Sequence, residues 1–151
     1  MATRDELYAK FGITAEAAQL FETEIGTLLL GVKGKDEQWH TTPKPEEAGE
    51  FLAKVDKSTL GNLLTKLQKI TESGEHIEIG DNLKVRFESA LKVRNKLFHG
   101  FYERHNFKIQ TDEGRSRMID DLEIMHVELF NAWRLASSVS DIFLNVLTSE
   151  K

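Results

Sequence analysis

GRSRMIDDLEIMHVELFNAWRLASSVSDIFLNVLT, residues 114–148, holds no proline, and no glycine after its first residue. Met118, Leu122, Met125, Leu129, Ala132, Ala136, Val139, Phe143 and Val146 recur along it at alternating spacings of four and three. That rhythm is a heptad seam, which packs against neighbouring helices at about +20°. Ile119, Phe130, Trp133, Ile142 and Leu147 widen the apolar stripe, so the helix is expected to face more than one neighbour. At ~1.5 Å per residue it would be about 50 Å long. A compact domain needs less, and a second copy of the chain is expected to cover the excess.

The chain upstream of this helix carries the same period. Thr14 is the expected N-cap of a helix to about Leu30, with Ala17, Phe21, Ile25, Leu28 and Leu29 on one side. GVKGKDEQWHTTPKP, residues 31–45, is punctuated by glycine and proline and reads as a loop. Pro45 suits the first turn of a short helix with the stripe Ala48, Phe51, Leu52 and Val55. Ser58 or Thr59 opens another, with Leu60, Leu63, Leu64, Leu67 and Ile70 in line and Gly74 as its stop. EHIEIG, residues 75–80, is a connector, and Asp81 caps a helix running to about Phe98 before Gly100. Residues 106–113 are expected to form a loop or a small hairpin arm, since Phe107 and Ile109 alternate. The predicted fold is all-α, an up-and-down helical bundle with a long C-terminal helix, in one domain spanning 1–151.

Composition narrows the function classes. A hydrophobic fraction of 40% and a charged fraction of 30% over 151 residues suit one soluble globular domain. No apolar run approaches the ~20 residues that cross a bilayer. MATRDELYAKFG at the start has no apolar signal region, so a cytoplasmic location is expected. With no cysteine, disulfide scaffolds and thiolate metal sites are excluded. The net charge of −5 argues against a protein that simply coats nucleic acid, yet the charge is unevenly spread. Lys84, Arg86, Lys92, Arg94, Lys96, Arg104 and Lys108 face only Glu88 and Glu103 within residues 84–108, a segment of +5 that leaves −10 for the rest.

Inside that basic segment the helical stripe reads Leu83, Phe87, Ala90, Arg94, Leu97. Arg94 stands where the pattern calls for an apolar side chain. A guanidinium stays charged, so it must snorkel to water or meet an anion. Two readings follow: an ion pair with a carboxylate of the last helix, such as Glu123 or Glu128, or a groove in which Arg94 awaits a phosphate. Asn95 and His99 are four apart and share a face. His99 lies about 140° around the helix from Arg94, and Gly100 is expected to loosen the helix enough for the imidazole to swing. A histidine at a helix end also serves as a dipole partner.

RNKLFH at 94–99, followed by GFY and preceded by ALKV, resembles the RNxxxH form of the signature of HEPN domains, and STLGNLL at 58–64 looks like a helix opening in HEPN-like bacterial proteins. The resemblance implies an all-helical domain of the kind found among toxins, phage-defence proteins and mobile-element cargo. It implies a homodimer that cleaves RNA without metal or other cofactor at a cleft on the two-fold, with an antitoxin as a further partner. Carried over, Arg94 would bind the scissile phosphate, His99 would be general acid or base, and Asn95 would hold phosphate or fix the imidazole. Lys96, Tyr102, Arg104 and His105 would supply backbone contacts or base stacking. Other HEPN-like proteins bind nucleotides, regulate partners or only dimerise, so a non-catalytic interaction module is the alternative.

Other constellations lead less far. Glu123 and His126 form an ExxH, but a di-metal bundle site needs a second such pair and the first helix offers none. His126 is expected to pack or pair beside the seam. His40, next to Trp39, has no ligand spacing, and GVKG lacks the ending of a phosphate-cradling loop.

Overall fold

The computed structural model describes residues 2–73 and 81–149. Among the described residues six helices follow one another: α1 (Arg4–Asp36), α2 (Pro45–Lys57), α3 (Leu60–Ser73), α4 (Asp81–Phe98), α5 (Phe101–His105) and α6 (Asp112–Ser149), with a 3-10 turn over Asn106–Gln110. No strand occurs among the described residues. The chain is an all-helical bundle with a long last helix, as its periodicity predicts. Gly74 and the 75–80 connector lie outside the described residues.

The largest departure from expectation is α1. It starts at Arg4 because Thr3 and Glu6 form a reciprocal capping box, Glu6 N–H to Thr3 Oγ1 at 3.1 Å and Thr3 N–H to Glu6 Oε2 at 3.4 Å. Thr14, expected as the cap, sits inside the helix at 0% exposure and donates to the carbonyl of Lys10 at 2.8 Å. A threonine hydroxyl that bonds back one turn is tolerated in a helix interior. The helix also continues through the glycines of the expected loop. A Cβ on Gly31 would lie 3.3 Å from the Phe143 ring, and one on Gly34 3.3 Å from Trp39. These glycines permit close packing and do not punctuate the chain. Only residues 37–44 connect α1 to α2.

At ~1.5 Å per residue, α1 reaches about 50 Å and runs parallel to α6. Arg115 Nε donates to the Ala2 carbonyl at 2.8 Å, Lys10 pairs with Glu123, and Gly31 meets Phe143. Met118, Leu122, Met125, Leu129, Ala132, Ala136 and Phe143 are buried along the predicted seam and Val139 is partly buried. The length of α6 is therefore matched by the first helix, while Ile124, Val127 and Ile142 of α6 stay exposed. On α1, Ala17, Phe21, Ile25, Leu28 and Leu29 are all buried, as predicted.

The other helices return the chain across this pair. α4 runs antiparallel to both, with Phe87 against Phe21 (ring centroids 5.6 Å) and Phe101, just beyond its end, against Phe11 (5.7 Å). Ser89 on α4 bonds Glu128 on α6. α3 opens on Thr59, whose Oγ1 accepts from the Asn62 N–H at 3.2 Å, and buries Leu60, Leu63, Leu64 and Leu67. α2 is the loosest helix: Val55 is buried against Gly26, whereas Leu52 is exposed. Of the loop or hairpin arm expected at 106–113, residues Asn106–Gln110 form a 3-10 turn. Gly114 explains its tightness, because a Cβ there would fall 2.0 Å from the Lys108 carbonyl oxygen. Among the described residues no helix is long and apolar enough to cross a membrane.

Leu129→Ala should lower the stability to urea by about 2–5 kcal/mol, since it opens a cavity in the α1–α6 seam. Ile124→Ala, one turn earlier and exposed, should change it by less than about 0.5 kcal/mol. Equal losses in the two would mean that the seam is not where α6 is held.

Candidate functional site

α4 remains regular to its end. The His99 N–H still donates to the Asn95 carbonyl at 2.8 Å, and the break comes one residue later at Gly100, whose φ of 97° suits glycine. The helix does not loosen before His99. Arg94 and His99 thus keep their separation of about 140° around the axis, and one chain does not bring them to a common point.

Arg94 turns toward α1. Its Nε donates to Glu22 Oε1 at 2.5 Å, Nη1 donates to Asn95 Oδ1 at 3.2 Å, and the guanidinium lies 5.0 Å from the Phe98 ring centroid. The expected carboxylate partners on α6 are engaged elsewhere, Glu123 with Lys10 and Glu128 with Ser89. The correction follows from the relative register of α1 and α4, which sets the Glu22 carboxylate alongside Arg94. The Arg94 and Glu22 side chains are 25% and 27% exposed, so the pair is reachable by solvent. Such a pair contributes about 1 kcal/mol or less to stability.

His99 is exposed, and among the described residues its imidazole has no hydrogen-bond partner. It shares the outward side of α4 with Lys92, Asn95 and Lys96, all exposed. Asn95 orients the arginine through its Oδ1. Arg104 is exposed on α5 and reaches back to the Lys96 carbonyl at 2.7 Å, a cation on the C-terminal carbonyls of α4. Tyr102 packs on Phe11 (centroids 5.4 Å) with 40% of its surface open. Burial first, and then the neighbouring Tyr8, raise its phenol above the ordinary tyrosine value.

His105 takes a different part from the one expected of it. It is 9% exposed, its Nε2 lies 2.7 Å from Asp121 Oδ2, and Nδ1 is 3.4 Å from Lys108 Nζ. Its ring also packs 4.6 Å from that of Phe101. The residue ties α5 to α6 and does not present its imidazole to a ligand. His126 stacks on Phe130 (5.8 Å, 26°) beside the seam. Among the described residues there is no group of three or more histidine, aspartate or glutamate side chains that could hold a metal ion.

The sequence reading missed Glu22 and Asp121. Glu22 lies at the margin of the α1 stripe, four residues after Ala18, so an acidic residue flanking an apolar row was the available signal. A second surface was also missed. Between α4 and α6 a groove of about 470 Å³ is lined by Val85, Arg86, Ser89, Ile124, Val127 and Glu128, with Val85 and Ile124 more than 60% exposed.

Compared with family profiles, curated proteins and solved structures, the chain gives no match. Its functional reading rests on its own residues.

The Tyr102 phenol should titrate above the ordinary value of about 10 in an ultraviolet absorbance titration. Tyr8→Phe should lower it only in part, because burial is the larger cause. The sign for stability follows from linkage. The protonated form is favoured in the fold, so this contribution is fully present below the unfolded pKa and is lost as pH rises through the folded one. A Tyr102 that titrates like a free tyrosine would contradict its packing against α1.

Proposed function

We propose that the chain is a HEPN-like, metal-independent endoribonuclease that acts as a homodimer. The observation that carries the reading is an exposed imidazole at His99 with no hydrogen-bond partner among the described residues, on the outward side of a helix that also bears Lys92, Lys96 and, just beyond it, Arg104. Histidine's ordinary pKa near 6.5 suits proton transfer in either direction at neutral pH. In the reaction, the RNA 2′-hydroxyl loses a proton to one imidazole while its oxygen bonds to phosphorus. The bond from phosphorus to the 5′-oxygen breaks, and a second imidazole protonates that oxygen. The products are a 2′,3′-cyclic phosphate and a 5′-hydroxyl.

One chain brings one such histidine, so a two-fold copy supplies the second. The separation of Arg94 and His99 around α4 leads to the same requirement: the arginine serving a given phosphate comes from the other protomer. Within the chain Arg94 engages Glu22 through Nε and Asn95 through Nη1, so a phosphoryl group that takes the whole fork has Glu22 to displace. Lys96 and Arg104 would hold the backbone, and the open side of Tyr102 would stack on a base. A toxin or mobile-element defence role, with an antitoxin as partner, accompanies this reading through the resemblance.

The alternative is a non-catalytic helical interaction or nucleotide-binding module. It is favoured by the Glu22–Arg94 pair, which already gives the guanidinium a counter-ion, and by the apolar groove between α4 and α6. Incubation with mixed RNA in chelator separates the two. The nuclease should yield fragments ending in 2′,3′-cyclic phosphate, with the rate reduced about 10²-fold or more in His99→Ala, and should sediment as a dimer. Intact RNA with a dimer mass would favour the interaction module. Cleavage that survives His99→Ala unchanged would remove His99 from the chemistry.

A further inference from the structure

Glu22 occupies the place where an anion would meet Arg94. Its Oε1 is 2.5 Å from Arg94 Nε, and both side chains are about one-quarter exposed, so a ligand approaching from solvent reaches guanidinium and carboxylate together. A phosphate drawn to the fork is repelled by the carboxylate beside it. The other contacts of Arg94 do not oppose an anion in this way. Asn95 offers a neutral amide oxygen to Nη1, and the Phe98 ring packs against the guanidinium plane.

The carboxylate also has room to leave. Glu22 lines a cavity of about 210 Å³ where α1 meets the end of α2 and the start of α3, together with Thr23, Gly26, Asp56 and Ser58. Glu22 is part of the lining, so the space lies directly beside its side chain. Asp56 makes the cavity unfavourable for a second negative charge, which biases Glu22 back toward Arg94 once the anion departs.

We infer that Glu22 is an intramolecular competitor for phosphate at Arg94, setting how strongly the site binds a phosphodiester ligand. The inference rests on the reading of Arg94 as a phosphate-binding group and names the residue that limits it. Its consequence is a specificity device. A single phosphate displaces Glu22 poorly, whereas an RNA strand also held by the basic side of α4 and α5 of the other protomer displaces it readily. Removing the charge with Glu22→Gln should tighten RNA binding about three- to tenfold at low salt, the effect expected of one unit charge a few ångströms away in a water-like medium.

The test uses a short 2′-O-methyl RNA, which cannot be cleaved, followed by fluorescence anisotropy in chelator. It is paired with the ¹⁵N resonance of Arg94 Nε followed during titration with inorganic phosphate. Glu22→Ala runs beside Glu22→Gln in case the glutamine carbonyl keeps the bond to Nε, and thermal melts confirm that both variants fold. Support is tighter RNA binding by Glu22→Gln that disappears when Arg94→Met is added. If wild type binds RNA and neither Glu22 variant binds more tightly, the competitor role is overturned while the RNA reading stands. A gain that persists undiminished with Arg94→Met overturns it too, because the charge would then act without the arginine. If no form binds RNA but phosphate shifts the Arg94 resonance at lower concentration in Glu22→Gln, the competitor role holds and the nuclease reading falls. A resonance that phosphate leaves unmoved in wild type and variants overturns the inference.

Discussion

α1 and α6 lie parallel over some 50 Å, and the apolar seam they share fixes where the remaining helices can go. Each buried leucine, methionine or phenylalanine along it contributes about 1.5–3 kcal/mol, far more than any ion pair on the surface of the bundle. Because the two helices point the same way, the chain between them must travel back before it can begin α6. α4 makes the return beside α6, placing Phe87, Ala90 and Leu97 in the core and leaving its outer side in water. Ala17 and Ala18 on α1, and Ala132 and Ala136 on α6, are buried in the same core.

The same constraint places the candidate site. α4 is wide enough to touch α6 on one side and α1 on the other, so the residue at the margin of its stripe, Arg94, meets α1. Glu22 is there because the register of α1 against α4 sets the two residues side by side. At the far end, Gly100 stops α4 with a left-handed residue, and α5 turns away to be tied down by His105 against Asp121 and by Phe101 in the core. That anchoring holds His99 at the last turn of a rigid helix. The imidazole is outside the packed interior, but its backbone is fixed.

Much of this was legible from residues. The seam of α6 as far as Phe143, the stripe of α3 as far as Leu67, Pro45 at the start of α2 and the stop at Gly100 each combine a period with a matching terminal signal, and each was read correctly. The start of α1 was misread because Thr14 can cap a helix or bond back within one, and only its burial between α1 and α6 decides between those uses. Gly31 and Gly34 were misread for a related reason. A glycine that ends a helix and a glycine that lets an aromatic ring approach look alike until the ring is in place. The partner of Arg94 was out of reach in a different sense. Which carboxylate faces it depends on the relative register of α1 and α4, and no spacing within either helix encodes that. His105 looked like one more basic surface residue beside Arg104, since its partner Asp121 is sixteen residues away on another helix.

Electrostatics then limit how two copies could assemble a composite site. α4 carries Lys84, Arg86, Lys92, Arg94 and Lys96 against Asp81 and Glu88, so two α4 helices brought face to face repel each other. Their repulsion is modest in water and is screened over about 8 Å at physiological ionic strength. It is largest where the guanidinium and imidazole groups would need to converge. A polyanion lying between the two helices removes that repulsion and is bound by both. The Glu22–Arg94 pair lowers it within each chain when no polyanion is present, because a neutralised guanidinium tolerates a basic neighbour. On the composite-site reading, one ion pair therefore serves two ends: it permits the protomers to associate without RNA, and it must open before RNA is held. An arginine left without Glu22 would bind phosphate more tightly but would oppose its own twin.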